Sequence, residues 1–225
     1  ADTYMHFLQY NLPLSKIRSC LITHSHSDHL YPKELHMRKT GFANIAENSP
    51  LVFYSDKSGF DMISEIKKAG VISDDDLQVK KISLNTPFNV DGYSVTALRA
   101  AHADVTSPVV YLIEKDGKTL FYSNDTSEYP PESMEYLKTL KKPIDLISLD
   151  CTEACNNATY IGHLSLERCI DLRKTLIEIG AADKNTVFVL NHFSHNSKNV
   201  LYKDFVKIAA KLDFEVSYDG MVIEI

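Results

Sequence analysis

Four side chains able to bind a metal ion, His24, His26, Asp28 and His29, fall within six residues of one another in the segment Thr23-His24-Ser25-His26-Ser27-Asp28-His29-Leu30. The segment follows a short apolar run, Ser19–Thr23, and its Ser and Thr content favours a loop over a helix. In extended backbone His24 and His26 point the same way and can chelate one ion, while Asp28 and His29 diverge and can reach a second. A polar surface loop with incidental histidines would carry the same residue types, so the rest of the chain must decide. Three later residues, each at the end of a strand-like run, are further candidates. His102 follows Val95-Thr96-Ala97-Leu98-Arg99-Ala100-Ala101, Asp125 follows Leu120-Phe121-Tyr122-Ser123-Asn124, and His192 follows Val187-Phe188-Val189-Leu190-Asn191. Taken singly, a strand-end Asp or His is more often a turn cap or an exposed polar residue than a ligand.

In this order the residues resemble the signature of the metallo-β-lactamase superfamily, an H-x-H-x-D-H loop followed by a His, an Asp and a His. Tyr122-Ser123-Asn124-Asp125-Thr126 is similar to the family's Y-[ST]-G-D-T loop, with Asn124 where Gly is usual, and Asn191-His192-Phe193-Ser194 is similar to its H-F-S segment. The resemblance covers nearly the whole chain and implies one hydrolase domain, residues 1–225, of α/β class: a four-layer αββα sandwich of two mixed sheets. It implies that His24, His26 and His102 bind one ion, that Asp28, His29 and His192 bind a second, and that Asp125 bridges both. Imidazole and carboxylate donors suit Zn²⁺, Mn²⁺ or Fe. The implied cofactor is therefore two divalent metal ions, Zn or Mn, with Fe also compatible. Such a pair holds a bridging hydroxide as nucleophile, and Asp28 counts as catalytic as well as metal-binding.

Gly162-His163-Leu164-Ser165, just before a helical run, resembles the Gly-His-Ser-Thr element of the family's phosphodiesterase branch. That branch includes ribonuclease Z and the phosphodiesterase of the carbon–phosphorus lyase pathway. The resemblance implies that His163 is the general acid that protonates the leaving alkoxide. His163, Ser165 and His195 are then expected to meet the substrate. On the plainer reading Ser165 is a helix cap and His163 a bystander. Asp104 and Asp150, near the ligand loops, are expected to hydrogen-bond the histidines. Ribonuclease Z inserts a long tRNA-gripping arm between its equivalents of His102 and Asp125. Here that interval is only 23 residues. The expected activity is therefore a metal-dependent phosphodiesterase on a small or cyclic phosphodiester. The alternatives are a ribonuclease Z-like tRNA 3′-end endonuclease, and a lactonase or other acyl hydrolase on the same scaffold.

Composition agrees with an enzyme of small substrates. Of 225 residues 44% are apolar and 24% charged, ordinary for a globular protein and too apolar for a disordered one. With 24 basic against 30 acidic residues the net charge is −6, which disfavours long nucleic acid as a partner. No apolar run approaches a membrane span, and the first ten residues lack the pattern of a signal peptide. Four cysteines (Cys20, Cys151, Cys155, Cys169) make no disulfide framework. A cytoplasmic protein with a small phosphodiester substrate, no membrane partner and room for a homodimer is expected.

The elements that must position these residues alternate along the chain. Strands are expected at Leu51–Tyr54, Leu77–Leu84, Tyr93–Ala100, Pro108–Glu114, Lys118–Ser123, Ile144–Leu149 and Val187–Leu190. Apolar periodicity predicts helices over Asp56–Gly70, Pro130–Leu140, from Ser165 to Gly180, and over Val200–Leu212. Phe214–Ser217 and Met221–Ile225 read as a last hairpin around Asp219-Gly220. Relatives carry strands before the H-x-H-x-D-H loop, so the first strands of the sheet are expected to be missing here. Ala1–Asn11 then reads as the helix that follows them.

Overall fold

A computed structural model of the chain describes residues 3–13, 16–39, 41–44, 49–70, 72–102, 106–156, 162–194 and 200–225. They fall into two units, Ala1–Ser83 with Val105–Ser107, and Leu84–Asp104 with Pro108–Ile225.

The first unit contains α1 (Thr3–Gln9), β1 (Ser19–Leu21), a 3-10 turn over Pro32–Arg38, β2 (Leu51–Ser55), α2 (Lys57–Lys68) and β3 (Leu77–Lys81). Its strands run in the order β1-β2-β3, with Cys20 opposite Phe53 and Phe53 opposite Val79. All of these pairings are parallel. The reason is the connections: α2 returns the chain from β2 to β3, and no tight turn joins neighbours. Ile22, Leu30, Phe53, Ile63, Ile72 and Leu77 form the core beneath. Asp56 starts α2 where the periodicity places it, its carboxylate accepting from the amides of Ser58 and Gly59. Gly59 is fixed by close approach, since a Cβ there would sit 2.1 Å from Oγ of the buried Ser55.

The second unit is built on a seven-stranded mixed sheet in the order β10-β9-β8-β7-β6-β5-β4. The strands are β4 (Phe88–Val90), β5 (Tyr93–Arg99), β6 (Val109–Lys115), β7 (Lys118–Ser123), β8 (Leu146–Asp150), β9 (Val187–Asn191) and β10 (Glu215–Val216). From β4 to β7 they are antiparallel, and from β7 to β10 parallel. Asp116 and Gly117, both at positive φ, make the tight turn between β6 and β7. The helices are α3 (Pro131–Lys138), α4 (Leu166–Glu178) and α5 (Tyr202–Ala210). All five residues of β8 are buried, as a central parallel strand requires. The core runs through Leu98, Phe121, Ile147, Leu149, Leu164 and Leu176.

This order has one consequence for chemistry. β5 and β7 are both antiparallel to β6, and β8 and β9 are parallel to β7, so all four strands end at the same edge of the sheet. His102, Asp125, Asp150 and His192 stand at or just past those four ends. The register agrees, with Ser123 opposite Leu149 and Asp150 opposite Asn191.

The closing hairpin is not formed. Glu215–Val216 pairs with β9 in parallel, and Met221–Ile225 is in no strand. None of those last five residues is buried and Val222 is 83% exposed, so that segment buries no face with which to hold a register. β4, three residues long, is too short to announce itself in sequence. Among the described residues no helix is long and apolar enough to cross a membrane.

Candidate metal centre

In the first unit, the loop after β1 gathers three imidazoles. His24 is fully buried. Its Nε2 faces Nδ1 of His26 at 2.9 Å, and its Nδ1 lies 3.2 Å from Oγ1 of Thr23. The His24 ring centroid is 4.5 Å from that of His26 and 4.2 Å from that of His29. The expected same-side placement of His24 and His26 is what the loop adopts. A turn in which the amides of His29 and Leu30 both bond the carbonyl of His26 brings His29 back toward them. The loop also leans on α2, with Oγ of Ser25 2.6 Å from Oγ of Ser58. Asp28 is directed outward, its side chain 72% exposed and its Oδ2 3.5 Å from Nε2 of His29.

In the second unit the strand ends bring His102, Asp125, Asp150, His163 and His192 together. Asp125 is buried, with Oδ1 3.1 Å from Nε2 of His192 and Oδ2 3.9 Å from Nε2 of His102. One carboxylate oxygen thus faces each imidazole. The far nitrogens are occupied: Nδ1 of His102 donates to the carbonyl of Gly162 at 3.0 Å, which leaves Nε2 with its lone pair. Gly162 sits at φ 140, a conformation that L side chains rarely adopt, so the residue that presents this carbonyl has to be glycine.

Thr152 sets the state of His192. Its hydroxyl donates to Oδ1 of Asp150 at 2.9 Å, so it accepts from Nδ1 of His192 at 2.7 Å, and Nε2 of His192 is again the bare nitrogen. His192 is held at φ 62, unusual for a residue with a side chain, and its amide bonds Oδ1 of Asn191 at 2.7 Å.

Asp150 is fully buried and saturated with donors. Oδ1 accepts from the amides of Thr152 and Leu164 and from the Thr152 hydroxyl; Oδ2 accepts from the amide of Thr126 and from Nδ1 of His163 at 2.7 Å. The expectation that Asp150 supports the histidines takes this form. Burial disfavours the charged His163 ring. The bond to Asp150 and the charges of Asp150, Asp125 and Glu153 outweigh it and raise the pKa above 6.5. His163 lies between two other imidazoles, with ring centroids 4.8 Å from His102 and 5.4 Å from His192.

Ser165 is buried and accepts from the amide of Arg168 as the cap of α4. His195 and Asp104 lie outside the described residues. Thr152 and the Gly162 carbonyl were not read from sequence. The one signal was the polar pair Asp150 and Thr152 at the end of an apolar strand.

The donor chemistry fits a divalent cation. Asp125 presents Oδ1 to Nε2 of His192 and Oδ2 to Nε2 of His102, within a group of Asp and His side chains close enough to share an ion. His102 and His192 are fixed with Nε2 bare by bonds to Nδ1, the arrangement that metal-ligating histidines require.

Known proteins share this fold. The chain is similar to the metallo-β-lactamase fold protein YhfI of Bacillus subtilis, with TM-score 0.73 and 16% identity over 98% of this chain and 83% of that one. Human tRNase Z, short form, gives 0.69 and 18% over 99% and 85%, and a diphosphatase of the PhnP family 0.66 and 17% over 100% and 77%. No curated protein matches significantly in sequence. Residues 2–193 match the model of the beta-lactamase superfamily domain. With that match over most of its length, and with this fold, the chain belongs to the metallo-β-lactamase superfamily.

Proposed function

We propose that the protein is a metal-dependent phosphodiesterase acting on a small or cyclic phosphodiester. The observation that carries this reading is the bond from Nδ1 of His163 to the buried Asp150. It orients the ring with Nδ1 toward the carboxylate, and that bond with the neighbouring carboxylates favours the protonated form over the neutral one. The superfamily pattern selects His24, His26, Asp28, His29, His102, Asp125 and His192 as ligands, and Zn²⁺ or Mn²⁺ suits that donor set. Two such ions supply an activated water and neutralise charge on the phosphoryl group.

His163 then donates its proton to the leaving oxygen, while Asp150 holds the ring and offsets its charge. Two proteins of like fold are named as a diphosphatase and a tRNase Z, which supports phosphoryl over acyl chemistry. The interval from His102 to Asp125 contains the β6–β7 hairpin, which argues for a small substrate rather than tRNA.

Substitution tests the role. His163→Ala should leave metal content unchanged and lower kcat on alkyl phosphodiesters by roughly 10²–10⁴-fold. The loss should be smaller on p-nitrophenyl esters, whose leaving group needs little protonation. Equal losses on both, or loss of a metal ion, would assign His163 another role.

A further inference from the structure

The second unit holds a pocket of about 570 Å³ that His192 itself lines. Sites for small molecules typically span roughly 300–1,000 Å³. Phe193 and the buried Phe205 pack edge to face inside it, ring centroids 5.3 Å apart, and Tyr202 meets Phe193 at 6.1 Å. Tyr218, 61% exposed, adds a further aromatic face. No lysine or arginine is among the described lining residues, and the charged one, apart from histidine, is Asp219.

Two of the neutral polar groups are already committed as donors. The Tyr202 hydroxyl donates to the carbonyl of Ser217 at 2.9 Å, and the Ser217 hydroxyl to Oδ1 of Asn191 at 2.9 Å. What both have left for a ligand is acceptor capacity. Aromatic faces, an acidic group and acceptor oxygens repel a phosphate. They suit a flat, uncharged heterocycle that carries N–H donors on its edge.

We propose that this pocket receives the nucleobase of the diester, and that the favoured base carries an exocyclic amino group. The proposal rests on the phosphodiesterase reading for the role of the pocket, and it narrows the substrate class to nucleoside phosphodiesters. The base lies against Tyr202 and Tyr218, its amino edge toward Asp219, so that the attached phosphate extends toward His192.

Cytidine and uridine test this, because they differ chiefly in an amino group against a carbonyl. NMR titration of the metal-free protein needs no turnover. Cytidine should bind saturably and at least fivefold more tightly than uridine. Tyr218→Ala should weaken both at least fivefold, and Asp219→Asn should remove the preference; both side chains are exposed, so the fold is retained. Absence of saturable binding, equal affinity for the two nucleosides, or titrations unchanged in both variants would overturn the proposal. Nucleoside binding without any metal-dependent diester hydrolysis would overturn the activity and leave the pocket standing. Hydrolysis without nucleoside binding would do the reverse.

Discussion

Nδ1 of His163 stands 2.7 Å from Oδ2 of Asp150, a carboxylate with no exposed surface that also accepts from three backbone amides and the Thr152 hydroxyl. Asp150 therefore acts through two imidazoles at once, directly on His163 and through Thr152 on His192. Replacing it with asparagine keeps the volume but puts an NH₂ where one acceptor oxygen stood. Asp150→Asn should lower kcat about 10–100-fold, the usual effect of losing a group that orients a functional histidine. Steady-state kinetics on an alkyl diester, with metal content measured alongside, would check it; unchanged turnover would show that the bond does not position His163.

The same bond predicts a pH dependence in chelator-treated protein. The folded-state pKa of His163 lies above 6.5, so its ionised form contributes stability that is fully present below the unfolded value and lost as pH rises through the folded one. The stability difference between wild type and His163→Gln should be largest below pH 6.5 and shrink above it. Denaturant unfolding across pH would read this, and a difference that grows with pH would contradict it.

Asp145 carries a dependence of opposite sign. Although partial burial opposes ionisation, bonds from the Thr119 amide and from Lys118 hold its pKa below the ordinary carboxylate value. Its contribution is present above the unfolded pKa and lost as pH falls through the folded one. Asp145→Asn should destabilise at pH 7, with the gap to wild type closing in acid. Parallel unfolding at pH 7 and pH 3 would test it.

Asp56 is the corresponding tie in the first unit. Its buried carboxylate caps α2 and also accepts from the amide of Ser107 at 3.2 Å. Asp56→Ala strands those donors and should cost about 2–3 kcal/mol, a cap plus an unsatisfied buried amide. Urea unfolding measures it, and a loss below ~0.5 kcal/mol would mean that water replaces the carboxylate.

Much of this was legible in the residues. His24 and His26 share a side because alternation in extended backbone requires it, and His102, Asp125 and His192 could be found because each ends an apolar strand. Gly162 before His163 marked a turn, though not that its carbonyl would fix the tautomer of His102. That role depends on two segments sixty residues apart meeting at one sheet edge. The nucleobase pocket was illegible for a similar reason. Ser217 reaches both Asn191 and Tyr202 because β10 joins β9 in parallel, whereas the alternation around Asp219-Gly220 suggested a hairpin. Local pattern signals turns well, but it does not name the partner of a two-residue strand.

The most direct test is hydrolysis of bis(p-nitrophenyl) phosphate by protein stripped with a chelator and then titrated with Mn²⁺ or Zn²⁺. No turnover should occur after stripping, activity should return with added metal, and Asp125→Ala or His192→Ala should abolish that return. Turnover indifferent to chelation, or metal-restored hydrolysis of a lactone with none of the diester, would contradict the phosphodiesterase reading.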